Sequence, residues 1–375
     1  MEKNELEQWS ILCSGRRYLA SRVALCNGNL PSAAFPDLEA YAEYFNSPYP
    51  VSRLVQRIEP GSNVAILGSS LSAIDAIVAL KEAGHRGLIQ CFSRNGRLPS
   101  VRSLHNRRRL ERKLTAQDIR VAAQVHGGKL SLNNFFSLLG AQINALGGDQ
   151  DIADMLGPRL PAREALDHEI ATAERRERLW QVVSAASNDI IDLVWHLLPA
   201  TERREYYERW RSLWMARRAT FPMQNARNLQ RYFKDGALQV LGGYQGCNYN
   251  TDTRKFVLRS LAAEDQQAHL HHADYVINAT SFSLDATQAK DPLIRQLLRH
   301  GYAVNDPFGG LRLDYESGCL LDARGARQHT LSLLGSLAVG TYFWTISMDV
   351  NARLAHGQAR RIASELMREA VPVRS

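Results

Sequence analysis

The chain has 375 residues, of which 45% are hydrophobic and 22% charged, the balance of an ordinary globular protein. The formal net charge is +8, no apolar run approaches the roughly 18 residues that span a bilayer, and the charged N-terminus lacks the apolar core of a signal peptide. Five widely separated cysteines form no C-x-x-C pair, which predicts reduced thiols and argues against a disulfide frame or a zinc site. These features predict a cytoplasmic protein of about two domains.

The first element with a distinctive pattern lies in residues 22–36, RVALCNGNLPSAAFP. It predicts a strand that ends near Gly28 and is followed by a loop that contains prolines.

The stretch 64–84, VAILGSSLSAIDAIVALKEAG, predicts a buried strand, a tight turn and an amphipathic helix that stops at Gly84. A strand that feeds a helix through such a turn aims the free N–H groups and the positive end of the helix dipole at one point, which suits a pyrophosphate. Against the dinucleotide-binding fingerprint G-x-G-x-x-G, the turn offers Gly68, Ser69, Ser70, Leu71 and Ser72, followed by an alanine. Serine at the second glycine position makes the turn alone a weak signal.

The next predicted strand, in residues 88–100, strengthens this interpretation. It is largely apolar through Phe92 and ends in Ser93 and Arg94. An acidic residue at this position would bind a ribose 2′-hydroxyl and indicate NAD, whereas serine and arginine suit a 2′-phosphate. The sequence therefore predicts NADP(H) as the nucleotide, the alternative being a surface arginine at a strand end.

A basic and helical region follows. Residues 102–113, RSLHNRRRLERK, are the densest basic block, which we interpret as a solvated helical face, with an anion-binding rim as the alternative. No aromatic residue interleaves the block, which argues against nucleic acid as a partner. Residues from about 105 to 220 show helical periodicity, including Leu166, Ile170, Val183 and Val194, and predict a helical insertion.

Two further patterns complete the chain. Residues 273–286, ADYVINATSFSLDA, predict a buried strand that ends at Thr280, and the preceding AHLHHAD is interpreted as a polar turn, with no metal site. The stretch from residue 331 predicts a strand, a turn at Gly335 and a long amphipathic helix. Asp349 is expected to cap that helix, the alternative being a catalytic group.

Taken in order, these landmarks resemble the FAD/NAD(P)-binding family related to flavin-dependent monooxygenases, which includes a urate hydroxylase-like branch. The resemblance runs from about residue 9 to the C-terminus and depends on the order of the motifs, among them ALCNGNLPS, CFSRNGRLPSVR and GSLAVGTYFWTISMDVNA. It implies an α/β fold with two Rossmann-type dinucleotide-binding domains. It also implies that the turns at Gly28 and Thr280 connect the two domains and that the segment after Gly335 faces the flavin.

The resemblance also implies a division of the chain. Residues 1–50 and 272–375 correspond to the remainder of an FAD-type domain, and residues 56–271 correspond to an NAD(P)-binding domain that carries the helical insertion. Members of the family usually begin with a strand, a complete G-x-G-x-x-G turn and a helix that bind the ADP half of FAD. We expect the FAD domain to be incomplete here, because no such unit precedes residue 64. NADP(H) is then the expected cofactor. FAD stays a possible second cofactor, although its affinity in this family rests heavily on the pyrophosphate-binding turn of the missing unit.

The function implied by the resemblance is that of an NADPH-dependent flavoprotein oxidoreductase or monooxygenase acting on a small molecule. Two alternatives stay open: a non-catalytic or partner-dependent NADP-binding subunit derived from such an enzyme, and a basic nucleic-acid binder. Because the flavin carries most of the chemistry in this class, the sequence identifies no catalytic acid or base. The sheet edge left by the missing unit predicts a homo-oligomer or a partner chain.

Overall fold

The structure, a computed structural model, describes residues 1–4, 8–107, 110, 113–148, 151–261, 267–280 and 282–370. The strands of these residues are β1 (Glu2–Lys3), β2 (Trp9–Cys13), β3 (Arg16–Ala20), β4 (Val23–Leu25), β5 (Tyr44–Phe45), β6 (Val64–Leu67), β7 (Ile89–Phe92), β8 (Leu238–Leu241), β9 (Tyr244–Asn250), β10 (Lys255–Leu261), β11 (Ala268–Ala273), β12 (Tyr275–Asn278), β13 (Cys319–Leu321) and β14 (Arg327–Leu333).

The helices are α1 (Val51–Arg57), α2 (Leu71–Glu82), α3 (Ala116–Gln124), α4 (Leu132–Ala145), α5 (Ile152–Leu156), α6 (Ala162–Arg175), α7 (Leu179–Ala186), α8 (Ile191–Leu197), α9 (Ala200–Glu205), α10 (Arg211–Arg218), α11 (Met223–Lys234), α12 (Pro292–Arg299), α13 (Val339–Tyr342) and α14 (Met348–Ala370). A π-helical turn, Tyr206–Trp210, joins α9 to α10. No helix among the described residues is long and apolar enough to cross a membrane.

A five-stranded parallel sheet has the order β5-β12-β6-β7-β8. The predicted strand, turn and helix of residues 64–84 are β6 and α2, and the next predicted strand is β7. All four residues of β6 and all four of β7 are buried, as expected for strands that are covered on both faces. The Rossmann-type α/β fold predicted from the sequence is confirmed.

The two faces of this sheet are covered differently. Helices α2, α6 and α11 pack on one face, where Ile74, Leu166 and Leu229 are almost fully buried. The antiparallel meander β9–β11 covers the other face through Phe256 and Leu258. Residues 268–273 are the edge strand β11 of this meander and not the polar turn that the sequence predicts.

Two strands of the sheet lie outside the predicted nucleotide-binding segment 56–271. Strand β5, from the predicted 1–50 unit, and β12, from the predicted 272–375 unit, both pair in parallel inside the five-stranded sheet. Tyr275–Asn278 is a short buried strand whose hydrogen-bonding partner is β6, far away in sequence, and local pattern carries no information on that pairing. The division of the chain into two units stays a prediction.

A second, smaller sheet has the order β13-β14-β4, in which β14 and β4 are parallel. Its hydrophobic core includes Leu25 of β4 and Leu333 of β14. Trp9, from the neighbouring meander β1–β3, packs in the same core, and its indole N–H donates to Thr330 Oγ1 at 2.9 Å. Within the described part of the chain, β4 is hydrogen-bonded to a strand on one side only. Strand β4 is therefore an edge strand.

The segment between β7 and β8 is helical, but it is not one continuous amphipathic unit. The periodicity over residues 163–198 is divided among α6, α7 and α8, and α6 packs on the five-stranded sheet. The first break coincides with Arg178, which precedes α7 and is buried in a cluster with Asp154, Glu169 and Arg217. Arg178 has non-helical backbone, with φ −115° and ψ 85°, so the ion cluster that holds its side chain lies where the local helical pattern is interrupted.

The basic block 102–113 is also corrected in part. Residues 102–107 are not helical: the Ser103 N–H donates to Gln181 Oε1 at 3.1 Å, and the Ser103 hydroxyl donates to the Arg176 carbonyl at 2.7 Å. These bonds tie the segment to the start of α7 and leave it no helical hydrogen-bond pattern. Residues 108, 109, 111 and 112 of the block lie outside the described residues.

Candidate functional site

The carboxyl ends of three neighbouring strands meet at one edge of the five-stranded sheet. Backbone bonds run from the Gly68 N–H to the Phe92 carbonyl at 2.7 Å and from the Ala279 N–H to the Leu67 carbonyl at 2.8 Å. The turn after β6, the Ser93–Arg94 pair after β7 and Thr280 after β12 are therefore adjacent. In open parallel sheets, ligands bind at this edge.

Gly68 lies where the chains come closest. Its φ angle is +117°, and a Cβ at this position would lie 2.6 Å from the Ala279 carbonyl oxygen. Any other residue would be strained by the backbone angle and would also collide with the backbone of Ala279, just after β12. Glycine at this position is thus required by the approach of the two strands, independently of any ligand.

The two serines predicted in this region, Ser69 and Ser93, bond to each other. The Ser69 hydroxyl lies 3.0 Å from Ser93 Oγ and donates to the Arg97 carbonyl at 2.7 Å, while Ser93 Oγ accepts the Gly96 N–H at 3.0 Å. Ser69 is buried. Both side chains hold the 93–97 loop against the turn. Because their hydroxyls are engaged there, the part of the turn that can face a ligand is its backbone.

The N-terminus of α2 carries no cap from its own side chains. Ser70, the residue before the helix, has extended backbone and makes no side-chain capping bond, and the first turn contains no acidic residue. Leu71 and Ser72 begin the helix, with Leu71 exposed. The free amides and the positive end of the helix dipole are consequently available to an anion or to water.

A tyrosine that the sequence did not single out stands beside this helix end. The Tyr49 hydroxyl donates to Asp75 Oδ2 at 2.6 Å and lies 3.5 Å from Ser72 Oγ. Burial and the hydrogen bond to Asp75 raise the pKa of Tyr49, so the phenol is neutral at physiological pH. Tyr49 precedes α1 by more than one residue and has no local signature, which is why sequence reasoning missed it.

Arg94 is exposed at the end of β7. Its side chain makes no hydrogen bond or ion pair with any residue that the structure describes. A free guanidinium at the second strand end is the arrangement that a 2′-phosphate requires.

Gly28 and Gly335 form a separate group at the smaller sheet. They follow the parallel strands β4 and β14, and the Ser336 hydroxyl donates to the Gly28 carbonyl. Both glycines have positive φ, +72° and +94°, and a Cβ at either would meet no atom within 4 Å. Open space thus lies in front of both turns.

Thr280 belongs with Gly68 and not with these two glycines. Its N–H and hydroxyl both donate to Asn278 Oδ1, at 3.0 and 2.7 Å, and Asn278 in turn donates to Asn46 Oδ1 at 3.1 Å. Ser281, the next residue of that predicted turn, lies outside the described residues. Asp349 lies in the first turn of α14, one residue inside the helix that it was expected to cap.

Comparison with other proteins supports the fold. No protein-family model and no curated protein sequence matches the chain. Among solved structures, L-lysine 6-monooxygenase from Pseudomonas syringae matches with a TM-score of 0.51 and 14% identity, over 96% of this chain and 70% of the other. The FAD-bound cadaverine monooxygenase of the desferrioxamine pathway from Erwinia amylovora matches with a TM-score of 0.50 and 13% identity, over 96% and 67%. At these identities the similarity establishes a common fold.

Proposed function

We propose that this protein is an NADPH-dependent flavoprotein oxidoreductase of the monooxygenase kind, acting on a small molecule. The observation that carries the proposal is the uncapped N-terminus of α2, which lies with Gly68 at the carboxyl edge of a parallel sheet, beside the free guanidinium of Arg94. The fold shared with two monooxygenases, one of them bound to FAD, supports the same conclusion. Within this kind, the sequence landmarks favour the urate hydroxylase-like branch.

The residues at the α2 terminus fit NADP(H). In the proposed complex, the backbone amides of Ser70, Leu71 and Ser72 bind the pyrophosphate, and Arg94 binds the 2′-phosphate. Ser69 and Ser93 act through the loop that they hold, because their hydroxyls are occupied by protein partners. Thr280, also at this edge, completes the rim of the nucleotide site.

The turns at Gly28 and Gly335 fit one side of a flavin. Both leave open space where a side chain would otherwise stand, and their strands are parallel neighbours. When bound, FAD would supply the redox chemistry with substrate and NADPH. The residues of this chain would orient it through the Gly28 and Gly335 backbones and the short helical segment that begins at Ser336.

A spectrum of the purified chain tests this proposal. Flavin absorbance that is bleached by NADPH is the expected result, with NADPH binding much more tightly than NADH. A colourless protein that takes up neither added FAD nor NADPH would refute it. A colourless protein that binds NADPH alone would refute the enzyme and favour the alternative below.

The alternative is a partner-dependent NADP-binding subunit. One observation favours it: β4, next to the Gly28 turn, exposes one edge to solvent in the described structure, with Ala24 exposed. Edge strands of this kind, free of proline and lysine, pair readily with another chain. Light scattering distinguishes the cases, since a second chain or a second copy at this edge would give a mass above 42.1 kDa.

A further inference from the structure

The hairpin of β2 and β3 ends in a tip in which every residue from 12 to 19 is exposed. We call these residues the hairpin tip. The turn lies at Ser14 and Gly15, which both have positive φ, +48° and +78°, as in the two-residue turns that match the twist of hairpin strands. At the other end of β2, Trp9 is fully buried in the core of the smaller sheet. The hairpin is therefore anchored at its base and projects from the protein at its tip.

Large apolar side chains are exposed on both faces of the hairpin tip. Leu12 lies opposite Arg17, and side chains that lie opposite each other, or two residues apart in a strand, share a face. Leu12 and Leu19 are thus on one face, 71% and 58% exposed, and Tyr18 is on the other, 52% exposed. A protein partner packed on one face would leave the other face in water. A lipid interface surrounds an inserted tip and covers both faces.

The charge of the hairpin tip is positive. Residues 8–36 contain no Asp or Glu, and on the neighbouring β1 the charges of Glu2 and Lys3 cancel. Arg16 is exposed and makes no hydrogen bond or ion pair with any residue that the structure describes. Arg17, also exposed, donates to a neutral serine hydroxyl at 3.2 Å. Both guanidinium groups therefore remain available to an anionic partner, and their planar fork matches the geometry of a phosphate.

The dimensions of the hairpin tip match the depth at which proteins dock on a membrane surface. Strand β3 runs from Leu19 back to Arg16 over about 10 Å, at roughly 3.3 Å per residue. Apolar groups of interfacial proteins are buried about 5–10 Å into the boundary between headgroups and acyl chains. Tyrosine is enriched at this boundary, and each cation close to an anionic leaflet raises the affinity by roughly five-fold. The tip therefore has both the reach and the side chains that such a surface requires.

Strands β10 and β11 provide a comparison within the same fold. Leu270, 63% exposed, lies opposite the exposed Arg259, as Leu12 lies opposite Arg17. The other face of these two strands, which includes Phe256, is buried against the five-stranded sheet. The same pair of residue types is thus open on one face only and is held against the body of the protein, where it cannot enter a lipid layer.

We propose that the hairpin tip docks this protein on an anionic lipid surface, with Leu12, Leu19 and Tyr18 in the interfacial layer and Arg16 and Arg17 on lipid phosphates. The attachment is peripheral and reversible, because three apolar side chains and two cations form a small contact that salt weakens. It goes beyond the proposed function and does not depend on it, since it involves neither the nucleotide turns nor a cofactor.

Sedimentation of the full chain with lipid vesicles tests the proposal. Vesicles of phosphatidylcholine and phosphatidylserine in a two-to-one ratio should bind the protein. Vesicles of phosphatidylcholine alone should bind it at least about ten-fold more weakly, because they offer no net negative charge. Added salt should weaken the binding to the mixed vesicles, because salt screens charges at a surface.

Two double variants separate the contribution of charge from that of apolar contact. Arg16→Gln with Arg17→Gln should weaken binding to the mixed vesicles about 25-fold, or roughly five-fold for each cation. Leu12→Ser with Leu19→Ser should weaken it about 10-fold or more, because the apolar area that enters the interface is lost. All four side chains are exposed, so both variants should fold as the wild type does.

The matched control is Arg259→Gln with Leu270→Ser, which makes one change of each kind on β10 and β11 and should leave vesicle binding unchanged. A second measurement keeps the apolar and cationic side chains of the tip intact. A polarity-sensitive dye on the exposed thiol of Cys13, in a Cys26→Ser background, should gain fluorescence with the mixed vesicles and not with phosphatidylcholine alone. This measurement decides the question if a double variant of the tip does not fold.

Four results would overturn the assignment: no binding to the mixed vesicles, equal binding to both compositions, unchanged affinity in a folded tip variant, or a Cys13 dye that does not respond. A dimer of twice 42.1 kDa that Leu12→Ser with Leu19→Ser dissociates would assign the tip to a second copy of the chain instead. Because FAD and NADPH are absent from every sample, the docking result and the cofactor result can fail independently.

Discussion

The buried ion cluster offers the sharpest test of the structural argument. The Glu169 carboxylate, 4% exposed, accepts five hydrogen bonds. Oε2 accepts from the Ser100 hydroxyl at 2.8 Å, the Val101 N–H at 3.0 Å and Arg178 Nη1 at 2.7 Å, while Oε1 accepts from Arg178 Nη2 at 3.0 Å and Arg217 Nη1 at 2.7 Å. Glu169→Gln would remove the charge and point an amide N–H₂ at some of these donors.

The magnitude follows from the pKa of this carboxyl. Burial opposes its charge, but the hydrogen bonds and charges of Arg178 and Arg217 prevail and hold the pKa at about 2, against an ordinary value of 4.5. At about 1.4 kcal/mol for each pH unit, this difference is worth roughly 3 kcal/mol of folding free energy at neutral pH. The usual cost of removing one partner from a buried pair, about 3–5 kcal/mol, agrees. Because the folded pKa is depressed, the stabilisation is complete above pH 4.5 and is lost as the pH falls through 2.

Urea unfolding followed by far-ultraviolet circular dichroism measures the effect. We expect Glu169→Gln to lower the free energy of unfolding by about 3–5 kcal/mol at pH 7. The difference from wild type should shrink by about 2 kcal/mol at pH 3. Glu174→Gln, on the same helix, is the control: its carboxylate pairs with Arg227 at the surface and should be worth less than about 1 kcal/mol. Equal losses in the two variants, or a difference that does not depend on pH, would refute the reasoning.

Three further predictions concern single positions. Gly68→Ala should lower the unfolding free energy by about 1–3 kcal/mol in thermal denaturation, because the position combines a positive φ with a close backbone contact. Arg94→Ala should weaken NADPH binding in a fluorescence titration by about 10-fold or more, because a charge-assisted bond to phosphate is lost. With a disulfide reagent at pH 8, the exposed thiols of Cys13 and Cys26 should react rapidly, whereas burial raises the pKa of Cys91 to about 12 and should keep it unreactive until unfolding.

Each of these has an internal control. Gly28→Ala should cost less than Gly68→Ala, because a Cβ there meets open space, and a larger loss at Gly28 would contradict the steric argument. Arg94→Ala should leave the affinity for NADH unchanged, and a parallel loss of both nucleotides would remove the 2′-phosphate assignment. Rapid labelling of Cys91 in the native protein would mean that β7 opens on the timescale of the reaction.

The parts of the fold that sequence predicted are those fixed by local pattern. Strand β6, the Gly68 turn and α2 occupy 64–84 as predicted, because the apolar run, the glycine and the helical periodicity are all contiguous. The pairing of β5 and β12 with β6 is non-local, and two short apolar runs carry no record of their partners. Such pairing decides which strands share a sheet, and no local spacing in the sequence predicts it.

For the candidate site, too, the sequence predicts only the part that local pattern determines. The residues of the Gly68 turn and Arg94 follow strand ends, where the parallel arrangement itself brings them together. The orientation of the Ser69 hydroxyl toward Arg97 depends on a loop contact that no spacing encodes.

Helix α6 connects the helical segment to the five-stranded sheet. Its Leu166 and Ile170 complete the hydrophobic layer on the five-stranded sheet, while its Glu169 anchors the ion cluster that holds α5, α7 and α10. One helix thus belongs both to the hydrophobic layer on the sheet and to the buried ion cluster. Excision of residues 105–220 would strip a covering layer from the five-stranded sheet, so this segment is integral to the fold and cannot be transplanted or deleted as a self-contained cassette.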